Sequence, residues 1–142
     1  MKLSPKDRDG WLTRWQEGRI QFHVDKVNPI LDRYVDRLLP EGFGRVLVPL
    51  CGKSVDLGWL VDRGHEVVGV ELAEKAVEDL FKELGRSPTI STQDVFQSWR
   101  SDGLEVLVGD LFELDAEFIG KFDAIWDRAA LVALRPSDRD RY

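Results

Sequence analysis

Cys51-Gly52-Lys53-Ser54, Glu71, Gly109-Asp110 and Asp127-Arg128 are polar punctuation in this 142-residue chain, each placed where an apolar run ends. The runs are Val46 to Leu50, Val67 to Val70, Leu104 to Val108 and Phe122 to Trp126, all rich in β-branched, aliphatic or aromatic residues. Glycine just after a strand lets the backbone approach a ligand closely. An acid at the tip of the following strand, about 20 residues on, can accept from ribose hydroxyls. Asp110 could accept from the amino group of a base, although Gly-Asp is also common turn chemistry. A guanidinium such as that of Arg128 favours an anion, although Asp127-Arg128 alone could be a local ion pair.

The turn at Gly52 narrows the ligand. A phosphate-cradling loop requires G-x-x-x-x-G-K-[ST], and Leu47 stands where its first glycine belongs. A dinucleotide loop requires G-x-G-x-x-G, whereas Leu50 precedes a lone Gly52 here. What remains is a nucleoside-type ligand without a pyrophosphate, its ribose on Glu71 and its polar tail over Gly52. S-adenosylmethionine meets that description. An ordinary α/β turn would use the same residue types.

Several elements must position these groups. The strand Val46 to Leu50, a helix from Val55 to Asp62, the Gly64-His65 break and the strand Val67 to Val70 form a βαβ unit. A second crossover helix is predicted over Ala73 to Leu84, with Ala76, Val77, Leu80, Phe81 and Leu84 on one face and Gly85 as its cap. Ser87 to Gly103, carrying Val95, Phe96 and Trp99, reads as a short helix or a lid over a pocket. Leu111 to Gly120 reads as a connection with Phe112, Leu114 and Phe118 turned inward, and a helix is predicted from Ala129 to Leu134. Ahead of this core, Asp7 to Glu17 predicts a helix with Trp11 and Trp15 on one face. Asn28 and Pro29 open a second helix whose buried stripe is Val27, Ile30, Leu31, Tyr34, Val35 and Leu38. The expected fold class is therefore α/β and Rossmann-like. Gly52, Glu71, Asp110 and Arg128 would then meet at the carboxyl ends of its strands.

Composition sets outer limits. The chain is 43% hydrophobic with a net charge of −6, so one globular domain is expected and a nucleic-acid surface is not. A single cysteine excludes an internal disulfide and suits a reducing compartment. Neither a signal segment nor a long apolar run is present, so no membrane partner is expected and the cytoplasm is the expected location.

Trp11-x-x-x-Trp15 with Phe22-His23, Val48 through Ser54, Arg63-Gly64-His65 through Glu71, Gly109 through Phe112 and Phe122-Asp123 through Leu134 occur in order over nearly the whole chain. With these blocks the sequence resembles the thiopurine S-methyltransferase family, especially its bacterial members. The resemblance implies a class I methyltransferase domain over residues 1–142: a helical cofactor lid (1–40) and a βαβ core (41–142) whose predicted strands, counted along the chain, lie in the order 3-2-1-4 and which lacks the family's C-terminal strands. It implies S-adenosylmethionine held by Trp11, Trp15, Phe22, Leu50, Gly52, Glu71, Asp110 and Arg128, with Arg128 also the catalytic residue and no metal. An aromatic face against a sulfonium is physically sensible, because the cation is attracted to the ring quadrupole. The implied substrate is a small aromatic or heterocyclic thiol. His23 is left as structural, and Cys51 as packing.

The implied full-length form is a monomer; a truncated chain would expose its fourth strand as an open edge and could self-associate there. The alternative function is a non-catalytic cofactor-binding or assembly module. A nicotinamide oxidoreductase is disfavoured by the single-glycine turn.

Overall fold

The computed structural model describes residues 2–142. Two helices come first. Helix α1 (Pro5–Gln16) is capped by Ser4, whose hydroxyl accepts from the Asp7 N–H. Helix α2 (Pro29–Leu38) is capped by Asn28, with Pro29 in its first turn. Strand β1 (Arg45–Pro49), helix α3 (Val55–Asp62) and strand β2 (Glu66–Glu71) then form the expected βαβ unit. Helix α4 (Glu74–Leu84) ends at Gly85, whose φ of 66° is the left-handed cap that glycine adopts without strain. Strands β3 (Thr89–Gln93), β4 (Phe96–Ser101) and β5 (Leu104–Val108) follow. A 3₁₀ turn over Leu111–Glu113 and the single-turn helix α5 (Ala116–Ile119) lead to β6 (Ala124–Ile125). The short helices α6 (Ala130–Ala133) and α7 (Pro136–Arg139) come last.

One mixed sheet runs β3-β4-β5-β2-β1-β6. Its parallel part, β5-β2-β1-β6, is the expected 3-2-1-4 order. The core between this part and the helices is built on Val46, Val67 and Val106 from the strands and on Leu57, Leu60, Val77 and Leu80 from α3 and α4, all essentially inaccessible to solvent.

Three expectations need correction. Ser87 to Gly103 is neither a short helix nor a lid: it supplies β3 and β4, an antiparallel extension of the sheet beyond β5. Asp102-Gly103 is a two-residue hairpin turn, with Gly103 at φ 79° and Asp94 at φ 55° in the preceding turn. Trp99 faces Val106 across the β4–β5 ladder and packs against Phe81, so its burial belongs to a sheet face.

Helix α2 buries Leu31, Val35 and Leu39, whereas Ile30 and Tyr34 are exposed. The helix meets the core chiefly along this i, i+4 row, with Val27 and Leu38 packed beside it, while Ile30 and Tyr34 point away. The Arg33 and Arg37 guanidiniums cover the outward Tyr34 ring. The connection after β5 turns inward only in part: Phe112 and Leu114 are half-buried, but Phe118 is exposed and stacks on Phe96.

Candidate active site

Three elements converge at the turn after β1. The Cys51 N–H donates to the Val70 carbonyl at 3.1 Å, which continues the β1–β2 pairing into the turn. Leu50 and Gly52 both take left-handed backbone angles, φ 48° and φ 54°. Such a conformation is costly for leucine and is held only where the surroundings over-determine it. The residues after Leu50 are pinned to β2, Cys51 on Val70 and Gly52 on Glu71 at the strand tip. One Glu71 oxygen accepts from the Gly52 N–H at 3.0 Å and the other from the Ala73 N–H at 2.7 Å. A carboxylate offers about four acceptor positions, so capacity remains for a ligand. Burial pushes the Glu71 carboxyl above its ordinary value, and the N–H groups of Ala73, Gly52 and Leu72 pull it back in part.

Cys51 belongs to packing. A Cβ on Gly69 would stand 2.8 Å from its sulfur, so β2 has a glycine where the thiol must fit. Burial, and then the neighbouring Glu71, pushes this thiol well above its usual range, the opposite of a nucleophilic cysteine.

The N-terminal arm closes the turn from above. Trp15 is buried and lies against Gly52, where an added Cβ would come within 3.1 Å of its ring. Phe22 meets both tryptophans edge to face, at 5.9 Å from Trp11 and 5.6 Å from Trp15 between ring centres. The Arg14 guanidinium sits over the Trp11 ring. Past β6, Arg128 donates to the Phe22 carbonyl at 3.1 Å, and Ala129 takes a left-handed φ of 61° before α6. The arm and the strand tips are thus tied by a direct hydrogen bond.

Between them lies a cavity of about 360 Å³. Its lining includes Trp11, Trp15 and Phe22 from the arm, Leu50, Gly52 and Glu71 from the ends of β1 and β2, and Arg128 with Ala130, Val132 and Leu134 from beyond β6. Every predicted site residue except Asp110 lines it. Asp110 faces a neighbouring cleft, which shares Leu3 and Leu72 with the cavity. Its carboxylate accepts from the Leu3 N–H at 2.6 Å and the Phe112 N–H at 3.0 Å, capping the 3₁₀ turn.

Among the lining residues outside the sequence-based set are His23, Lys53 and Trp126. Lys53 pairs with Glu83 at 2.6 Å. Burial first, then the positive charges of Lys53 and Arg128, lowers the His23 pKa and so favours neutral imidazole. The signal for Lys53 was its place in the glycine turn. That for His23 was its place beside Phe22, while nothing local marked Trp126. Glu71 is the single acid among the lining residues, and no cluster of metal-ligating side chains occurs among the described residues.

Comparison with known proteins places this geometry. A family model described as Thiopurine S-methyltransferase matches residues 6–142. A thiopurine S-methyltransferase of Pseudomonas aeruginosa (strain LESB58) is 48% identical over 134 residues, covering 94% of this chain and 62% of the relative. One from Pseudomonas fluorescens (strain Pf0-1) is 48% identical over 132 residues, covering 93% of this chain and 61% of the relative. The chain thus spans about three-fifths of the length of the curated relatives it matches.

Among solved structures, the 1,6-didemethyltoxoflavin-N1-methyltransferase of Burkholderia thailandensis, with bound 1,6-didemethyltoxoflavin and S-adenosylhomocysteine, superposes with a TM-score of 0.67 at 19% identity. That match covers 99% of this chain and 56% of the other. A TehB-like SAM-dependent methyltransferase from Corynebacterium glutamicum gives 0.55 at 19% identity, covering 97% and 64%. At such identity the likeness speaks for the fold.

Proposed function

The chain belongs to the thiopurine S-methyltransferase family, and on that premise we propose that it binds S-adenosylmethionine and directs methyl transfer to the sulfur of an aromatic or heterocyclic thiol. The observation that carries this reading is Glu71. A buried carboxylate with acceptor capacity to spare lines an aromatic-walled cavity beside a glycine turn. These residues fit the cofactor. Glu71 can take a ribose diol, Gly52 leaves room for a close approach, and Trp11, Trp15 and Phe22 line the cavity with rings whose faces attract a sulfonium. The bound cofactor supplies an electrophilic methyl group.

The chain's own residues align and desolvate. Residues 1–40 act as a lid over the core of residues 41–142, with Trp15 closing on the turn and excluding water. Leu50 holds the turn through its left-handed backbone. Arg128, hydrogen-bonded to the lid, faces the cavity and favours the thiolate form of the acceptor. Asp110 serves the adenine end when the Leu3 N–H gives up its oxygen. Thiols of this class ionise near neutral pH or exist as thiones, so a general base is not required, and neutral His23 need not act as one. Holding the reactants in line can supply roughly 7–11 kcal/mol. The named methyltransferase relatives favour this enzyme over a non-catalytic cofactor-binding or assembly module. Small molecules are the partners of such a site, and the cytoplasm is its setting.

Calorimetric titration of the purified chain with S-adenosylhomocysteine tests the reading. Micromolar binding is expected. A folded protein that gives no heat at millimolar ligand would overturn it.

A further inference from the structure

Asp56, in the first turn of α3, is 1% exposed, and it does not line the cavity. A buried carboxylate persists only where hydrogen bonds replace its hydration. Its two oxygens serve two different parts of the fold. Oδ1 accepts from the Asn28 N–H at 2.8 Å, where the N-terminal arm passes into α2. Oδ2 accepts from the indole N–H of Trp126 at 3.0 Å, at the end of β6. Two residues beyond Trp126, Arg128 donates to the Phe22 carbonyl at 3.1 Å and so returns to the arm. The contacts form a closed circuit: Asp56 to Trp126, along the chain to Arg128, across to Phe22, along the arm to Asn28, and back to Asp56. An apolar side chain could fill the space beside Leu57 and Leu60, but it could not satisfy both donors.

We propose that Asp56 is a positioning residue that fixes Arg128 and the aromatic arm relative to one another, and thereby sets the closed form of the cavity. The inference rests on the cofactor-binding reading of that cavity. Asparagine at this position keeps the volume but offers a single acceptor oxygen, so one of the two donors must face an amide nitrogen.

The test is Asp56→Asn in the wild-type and Arg128→Ala backgrounds, read by calorimetry with S-adenosylhomocysteine and by amide hydrogen exchange. Affinity should fall tenfold or more in the wild-type background and less than threefold once Arg128 is gone, because coupled residues are not additive. Exchange should quicken together at residues 22–28 and 126–130, while β2 and α4 keep their protection. Equal fold-losses in both backgrounds, or unchanged exchange in either segment, would overturn the proposal. If the wild-type chain binds no S-adenosylhomocysteine, it is the cofactor reading that has failed. Exchange then decides alone: joint quickening supports the coupling and its absence refutes it. Should Asp56→Asn lose protection throughout, Trp126→Phe, which removes only the indole donor, carries the same expectations.

Discussion

Trp15 and Gly52, from the arm and from the turn after β1, are in direct contact: a Cβ placed on Gly52 would stand 3.1 Å from Cζ2 of Trp15. Gly52 also sits at φ 54°, where an L side chain is strained. Gly52→Ala should therefore lower unfolding free energy by about 2–3 kcal/mol, from strain and overpacking together. Urea denaturation measures this. Adding Trp15→Phe, which opens the contact, should recover part of the loss; strict additivity of the two changes would show that contact to be irrelevant.

Glu71 separates support of the turn from recognition of a ligand. Glu71→Ala leaves the buried N–H groups of Gly52 and Ala73 without their acceptor, at about 1–3 kcal/mol each. Glu71→Gln retains one acceptor oxygen and should cost less. Both should weaken S-adenosylhomocysteine at least tenfold by calorimetry. A glutamine variant that binds like the wild type would exclude a ribose role for this residue.

The same carboxyl predicts opposite pH trends for stability and binding. Its pKa is raised above 4.5 in the folded state, chiefly by burial. The folded state therefore holds that proton more tightly than the unfolded chain does. The resulting stabilisation is complete below pH 4.5 and is lost as pH rises through the raised value. Recognition of ribose hydroxyls instead uses the ionised form, so affinity should weaken as pH falls through the same window. Urea and calorimetric titrations between about pH 4 and 8 should show both trends in the wild type. Glu71→Gln should flatten both, and identical wild-type and variant profiles would reject the assignment.

Arg128 joins the arm to the tip of β6 by an exposed hydrogen bond, so its removal should cost little stability, about 1 kcal/mol or less. Its effect should appear at the cavity. Arg128→Ala is expected to lower methyl transfer to an aromatic thiol at least tenfold, with Arg128→Lys intermediate because charge survives and the planar fork does not. Turnover of thiophenol followed by product chromatography checks this, in parallel with thermal unfolding.

Cys51 should be silent in the folded protein. Its thiol is buried, and burial raises its pKa. A disulfide reagent such as DTNB should label the chain only under denaturing conditions, with one thiol per molecule. Gly69→Ala, which drives a Cβ to 2.8 Å from this sulfur, should destabilise by about 1–3 kcal/mol, and Cys51→Ala should relieve part of that. Rapid labelling of the native chain would contradict the packing role.

Local chemistry alone determined β1, α3, β2 and α4. Their apolar periods, the Ser54 cap and the Gly85 stop are written within each segment, and the strand-tip acid follows from their order. The strand order of the parallel part came from the family resemblance, since local patterns do not say which strands pair.

Tertiary structure decided the rest. Phe96 and Trp99 suit several local conformations, and only pairing with β3 and β5 makes their segment a strand. Ile30 and Leu31 are neighbours of equal hydrophobicity, yet the row that meets the core buries one and exposes the other. Asp110 follows its strand as expected, but whether its oxygens face a ligand or the Leu3 amide depends on where the arm lies. Asp56 looks like an ordinary acid in a helix's first turn. Its two donors come from residues 28 and 70 positions away, and such partners have no local signature because the fold alone brings them within hydrogen-bond reach.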